Sequence, residues 1–157
     1  MGLFRAGFDV VGIDNRPQPH YPFPFIQGDA LNPPVRLEDF DLIWASPPCQ
    51  AHTTLGKQNR KRQHYDHPDL IPQTRALISG HPCWIMENVV GAPLKSSVML
   101  CGSQFGLDVR RHRLFETTFL VLQLDCRHDL QEPRFRSLDK RRAGKLARTV
   151  GVHGHLN

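Results

Sequence analysis

A chain of 157 residues, 39% of them hydrophobic, is long enough to bury one ordinary core without disulfides or metal, and too apolar for a disordered segment. No apolar run approaches the roughly 20 residues that span a bilayer and the first residues carry no signal-peptide pattern, so a cytoplasmic home is expected. The net charge of +5 comes from two clusters, Lys57, Arg60, Lys61 and Arg62, then Arg134, Arg136, Lys140, Arg141, Arg142, Lys145 and Arg148. They suit either salt-dependent nucleic-acid binding or a solvated surface.

In chain order, residues 2–7 read as the tail of a helix. Residues 9–14 (Asp-Val-Val-Gly-Ile-Asp) read as a short apolar strand ending in an acid, and 24–28 as a weaker one ahead of Asp29. Residues 40–46 form another apolar run, stopped by Pro47-Pro48. The spacing of apolar positions 70, 71, 77 and 78 predicts a helix over 69–78, with Asp69 as its cap, Pro72 in its first turn and Gly80 after its end. Residues 83–89 give a further strand closed by Gly91 and Pro93, and 113–121 one rich in aromatic and β-branched side chains. Beyond about 124 the pattern dissolves into charge.

Apolar runs punctuated by Gly or Pro suit strands buried on both faces, and strand–helix–strand suggests a crossover. The expected fold is therefore α/β with a mostly parallel sheet. A doubly wound sheet ordinarily opens one strand earlier, with a glycine-rich turn that is missing here.

Asp14, Asp29, Cys49 and Glu87 fall just past predicted strands, where ligands bind in open α/β sheets. The four cysteines, at 49, 83, 101 and 126, contain no C-x-x-C pair, so reduced thiols are expected. Two prolines give Cys49 a fixed direction, and a polar setting would favour its thiolate. Its ordinary reading is a small buried hydrophobe. Glu87, in Glu87-Asn88-Val89, suits a carboxyl of raised pKa in a partly dry cleft, or a simple strand-end carboxylate. Arg111 and Arg113 flank His112 and would share one face of a strand, as an anion clamp or as a solvated basic turn.

Taken together, Pro47-Pro48-Cys49-Gln50, Glu87-Asn88-Val89 and the Arg111/Arg113 pair resemble the DNA cytosine-5 methyltransferase family of phage and bacterial type. Supporting stretches are Arg5-Ala6-Gly7-Phe8 with Val11-Gly12-Ile13-Asp14, Gly28-Asp29-Ala30, and Leu100-Cys101-Gly102 with Phe105-Gly106-Leu107. The resemblance covers roughly residues 1 to 120. It implies a Rossmann-like catalytic core over 1–123 and a basic segment over 124–157. It further implies S-adenosylmethionine as cofactor and DNA as partner.

In that family's terms, Cys49 adds to cytosine carbon 6, Glu87 holds or protonates ring nitrogen 3, and Arg111 and Arg113 hold the ring carbonyl. Asp14, Asp29 and Pro47 would contact the cofactor, and Pro48, Gln50 and Asn88 the substrate. The family's first strand, glycine-rich cofactor loop and recognition region have no counterpart in the chain. Missing segments or a partner chain would then complete the cofactor site.

Two other readings share these residues. One is a non-catalytic nucleic-acid-binding remnant, and the other a cytosine methyltransferase acting on RNA. A metal site from Cys126, His128, His153 and His155 is set aside because the spacing is unlike common zinc patterns, and no metal is expected.

Overall fold

The computed structural model describes residues 1–53, 67–107 and 109–130. The basic clusters at 57–62 and 134–148, and His153 and His155, lie outside them. No helix among the described residues is long and apolar enough to cross a membrane. The chain divides into two compact units, Met1–Arg36 and the described part of Leu37–Phe135.

In the first unit a single helical turn, α1 (Gly2–Arg5), precedes two parallel strands, β1 (Gly12–Asp14) and β2 (Phe25–Gln27), paired with Ile13 opposite Ile26. The Gly28 amide donates to the Asp14 carbonyl at 3.0 Å and extends the pairing past the strand ends. Phe4, Phe23, Tyr21 and Phe25 pack ring against ring in sequence, with centroids 5.3–6.0 Å apart. That packing explains Gly12: a Cβ there would stand 2.6 Å from the Tyr21 ring.

The second unit is built on a four-stranded sheet. Its strands are β3 (Ile43–Ala45), β4 (Trp84–Asn88), β5 (Val98–Cys101) and β6 (His112–Thr117), in the order β3-β4-β6-β5. Helix α2 (Ile71–Ile78) connects β3 to β4. Pro72 lies in the first turn, as the sequence predicts, but the cap position falls on Leu70 rather than Asp69, whose carboxylate accepts the Ile71 amide at 3.0 Å from one residue further back. Ile71, Thr74 and Ile78 point inward, and Ile71 and Ile78 join Trp84, Met86 and Ala92 in the core. Full burial of each such large apolar side chain contributes roughly 1.5–3 kcal/mol.

The mostly parallel, Rossmann-like sheet is overturned. Of the pairings in the four-stranded sheet, β3–β4 is parallel while β4–β6 and β5–β6 are antiparallel, and β1–β2 forms a separate two-stranded sheet. The reason lies in the 89–111 connection. A parallel return needs a crossover, usually a helix, whereas this stretch holds β5 and a short 3-10 turn at Gly102–Phe105. The chain comes back as an antiparallel pair, and β6 inserts between β4 and β5.

Burial is correspondingly one-sided. Trp84, Met86 and Asn88 face the helix and are buried, while Ile85 and Glu87 alternate to the other face and are only partly covered. Trp44, opposite Ile85, is 45% exposed. The expectation of strands covered on both faces therefore fails for β3 and β4.

Candidate active site

Parallel pairing of β3 with β4 brings two of the candidate groups to one end of the sheet. Ala45 lies opposite Met86, so the Ser46-Pro47-Pro48-Cys49 loop leaves β3 at the end where Glu87 and Asn88 finish β4. Asn88, 1% exposed, donates from Nδ2 to the Pro47 carbonyl at 3.0 Å, and its own Oδ1 accepts the Val89 amide at 2.9 Å. This amide ties the loop carrying the thiol to the strand carrying the acid. Pro47 is buried, Pro48 and Gln50 are exposed, and Cys49 is partly buried.

After Cys49 the chain turns sharply, with the His52 and Thr53 amides both donating to the Cys49 carbonyl at 2.9 and 3.1 Å. His52 Nε2 meets the Asp69 carboxylate at 3.0 Å, which links this turn to the start of α2. At the other side of the loop the Trp44 indole N–H donates to Ser46 Oγ at 2.9 Å. The thiol-bearing loop is thus held by β3, β4 and the helix start.

Arg113 completes the group. Its Nε lies 2.8 Å from Glu87 Oε1, with both side chains about a quarter exposed (25% and 22%). A second guanidinium nitrogen donates to the His112 carbonyl at 2.9 Å. The antiparallel register supplies this pairing: Glu87 lies opposite Phe115, two residues from Arg113 on the same face. Phe115 in turn packs edge-on against Trp44, at 5.9 Å between centroids. Arg111 stands exposed, one residue before β6.

Asp14 and Asp29 belong to the first unit, at and just beyond the carboxyl ends of β1 and β2. Each organises its own loop. Asp14 Oδ1 accepts the Arg16 amide at 2.8 Å, and Asp29 Oδ1 the Leu31 amide at 2.9 Å.

A second constellation was not legible in the sequence. Cys101, His112, Cys126 and His128 bring their sulfur and ring nitrogen atoms within 4.8 Å of one another. Cys101 lies opposite His112 in the β5–β6 register, and Cys126 and His128 return to the same place. In the sequence, the next histidines after Cys126 and His128 are His153 and His155, at a spacing unlike common zinc patterns. Cys101 and His112 come beside Cys126 and His128 through antiparallel pairing, which no local spacing announces. Burial pushes the Cys101 thiol up, but hydrogen bonds with Ser103 and His128 outweigh it and hold it at about 7.

Compared with protein-family models, with curated proteins and with solved structures, the chain matches none.

Proposed function

We propose that the chain is a cytosine-5 methyltransferase acting on DNA, with Cys49 as its nucleophile. The observation that carries this reading is the Glu87–Arg113 ion pair on the strand whose Asn88 fixes the Pro47-Pro48-Cys49 loop. A thiol, an acid and a guanidinium gathered at one sheet end are the groups the chemistry requires.

Cytosine carbon 5 is a poor nucleophile. Addition of the Cys49 thiolate to carbon 6 breaks the ring's 5,6 double bond and makes carbon 5 an enamine carbon. Glu87, after taking up a proton, gives it or a hydrogen bond to ring nitrogen 3, so the added charge is not left bare, and nitrogen 3 gives the proton up again when Cys49 leaves. Arg113 orients Glu87 and offers a cation to the ring carbonyl, and Arg111 adds positive charge at the strand entrance. Once carbon 5 carries the methyl group, loss of its proton to a base restores the double bond and expels Cys49. Neither face of carbon 6 is open in a stacked duplex, so the base must be flipped out.

S-adenosylmethionine supplies the electrophilic methyl group. Asp14 and Asp29 fit its polar groups in kind, being carboxylates at the ends of two paired strands, suited to ribose hydroxyls and to an adenine amino group.

The test is transfer of labelled methyl from S-adenosylmethionine to mixed-sequence DNA by the chain as given, beside Cys49→Ala. Transfer by the parent and none by the variant is expected. DNA carrying 5-fluorocytosine should also trap a denaturation-resistant adduct, because fluorine cannot leave as a proton does. A folded parent that neither transfers label nor forms the adduct overturns the reading.

A further inference from the structure

The strongest unexplained feature lies on β6 one residue from Arg113. By strand alternation His112 points to the opposite face of the sheet from Arg113. There it meets Cys101, which is 2% exposed, together with Cys126 and His128. We propose that Cys101, His112, Cys126 and His128 form a structural zinc site that staples residues 121–130 to the β5–β6 pair.

Three observations carry it. The first is geometry. Tetrahedral zinc, with Zn–S of about 2.3 Å and Zn–N of about 2.0–2.1 Å, holds its ligand atoms roughly 3.3–3.8 Å apart. Cys101 Sγ lies 3.4 Å from His128 Nε2, Cys126 Sγ lies 3.4 Å from His112 Nε2, and all four ligand atoms fall within 4.8 Å. The His112 and His128 rings stand edge to face, 75° apart, so they approach the shared centre from different directions.

The second is the support around the ligands. Ser103 Oγ donates to Cys101 Sγ at 3.3 Å and itself accepts the Arg127 amide at 3.1 Å. The Arg110 guanidinium donates to the His128 carbonyl at 2.8 Å. Gln104 receives the Cys101 amide and donates to the Leu124 carbonyl, which clamps the 102–105 turn to the incoming segment. Gly102 leaves no room for a Cβ, which would stand 2.5 Å from the Val109 carbonyl oxygen. The backbone beside the first ligand is therefore held close.

The third is what the segment lacks. Leu120, Leu122, Leu124 and Leu130 are exposed, and residues 118–127 contain neither strand nor helix. Little apolar burial holds this stretch, yet its Cys126 and His128 reach the same point as Cys101 and His112. Two thiolates and two imidazoles select zinc among common divalent ions, and four protein ligands leave no position for substrate. Binding releases the two thiol protons to solvent and makes the centre neutral.

The test measures metal in the full chain, purified without chelator, by mass spectrometry of the elements. About one zinc per chain is expected, as for a closed four-ligand site. Cys126→Ser and His128→Ala should lose it, while Cys49→Ala and Cys83→Ser keep it. Should the ligand variants fail to fold, two further measurements decide. Cobalt added to the chelator-treated parent should give the visible bands of a tetrahedral thiolate complex. Ser103→Ala, which keeps all four ligands, should weaken zinc binding about 10–100-fold. Metal-free parent with no cobalt bands overturns the proposal. So does zinc retained equally in the ligand variants, or a Cys101–Cys126 disulfide found by mass. Methyl transfer enters none of these readouts, so this proposal and the enzymatic one fail separately.

Discussion

The second unit's sheet carries an arginine–glutamate pair on each face, and the two are built differently. On the helix-covered face Glu116 of β6 is buried, and the Arg75 guanidinium of α2 grips both its oxygens at 2.8 and 2.7 Å. Glu116 also accepts the Lys95 amide at 2.7 Å, and Arg75 donates to the Pro93 carbonyl at 3.0 Å. On the open face Glu87 meets Arg113 through Oε1, and both side chains remain reachable by solvent. One pair joins helix to sheet. The other leaves a carboxyl and a cation where a planar ring can approach them. Their placement separates them more than their chemistry does: the same side chains lock helix to sheet where they are dry and saturated, and on the proposed function would meet a substrate where they are not.

Substitutions should pull the two faces apart. Glu87→Gln is expected to lower methyl transfer about 10²–10⁴-fold, the usual worth of a positioned acid, with the melting curve unmoved. A parallel fall in melting temperature would make the open-face pair structural too. Arg75→Ala should do the reverse and destabilise by about 3–5 kcal/mol, because it strands a buried carboxylate. Denaturant unfolding measures this, and a loss under about 1 kcal/mol would make the covered pair a surface one.

Asn88→Ala sits between the two classes. It removes a buried donor from the Pro47 carbonyl, so it should cost about 1–3 kcal/mol and slow 5-fluorocytosine trapping through a loosened Cys49 loop. Trapping at the parental rate would show that the loop is held without the amide. The smallest effect is one of pH. Burial alone would raise the Glu116 carboxyl, but hydrogen bonds from Arg75 and the Lys95 amide outweigh it and hold it below its ordinary 4.5. Its stabilising contribution is present above 4.5 and lost as pH falls through the lowered folded value. Acid unfolding should therefore be shallower in Glu116→Gln than in the parent, and equal slopes would remove Glu116 from the account.

The sequence made the elements readable and left their direction hidden. The helix over 69–78 announced itself through apolar spacing, Asp69 and Pro72, and the strands ending at Asp14, Ala45 and Asn88 through their Gly and Pro boundaries. Strand β5 escaped because Val98-Met99-Leu100-Cys101 is brief and runs straight into a turn. Whether β6 pairs parallel or antiparallel depends on the connection before it, and an apolar run looks alike in either sense. Cys49, Glu87 and Arg113 stood out as candidates because their motifs are local. The Cys101–His112 contact was not, since it exists only once two strands lie in register.

The chain's two tryptophans fall on opposite faces of this sheet. Trp84, 7% exposed, is set in the core, while Trp44 is 45% exposed and bonded to the first residue of the Pro-Pro-Cys loop. The protein thus carries a pair of optical reporters. A soluble quencher should reach Trp44 first, and a nucleobase stacking on the open face should shield Trp44 alone. Fluorescence can then follow loop occupancy and core integrity in the same cuvette, with no label attached.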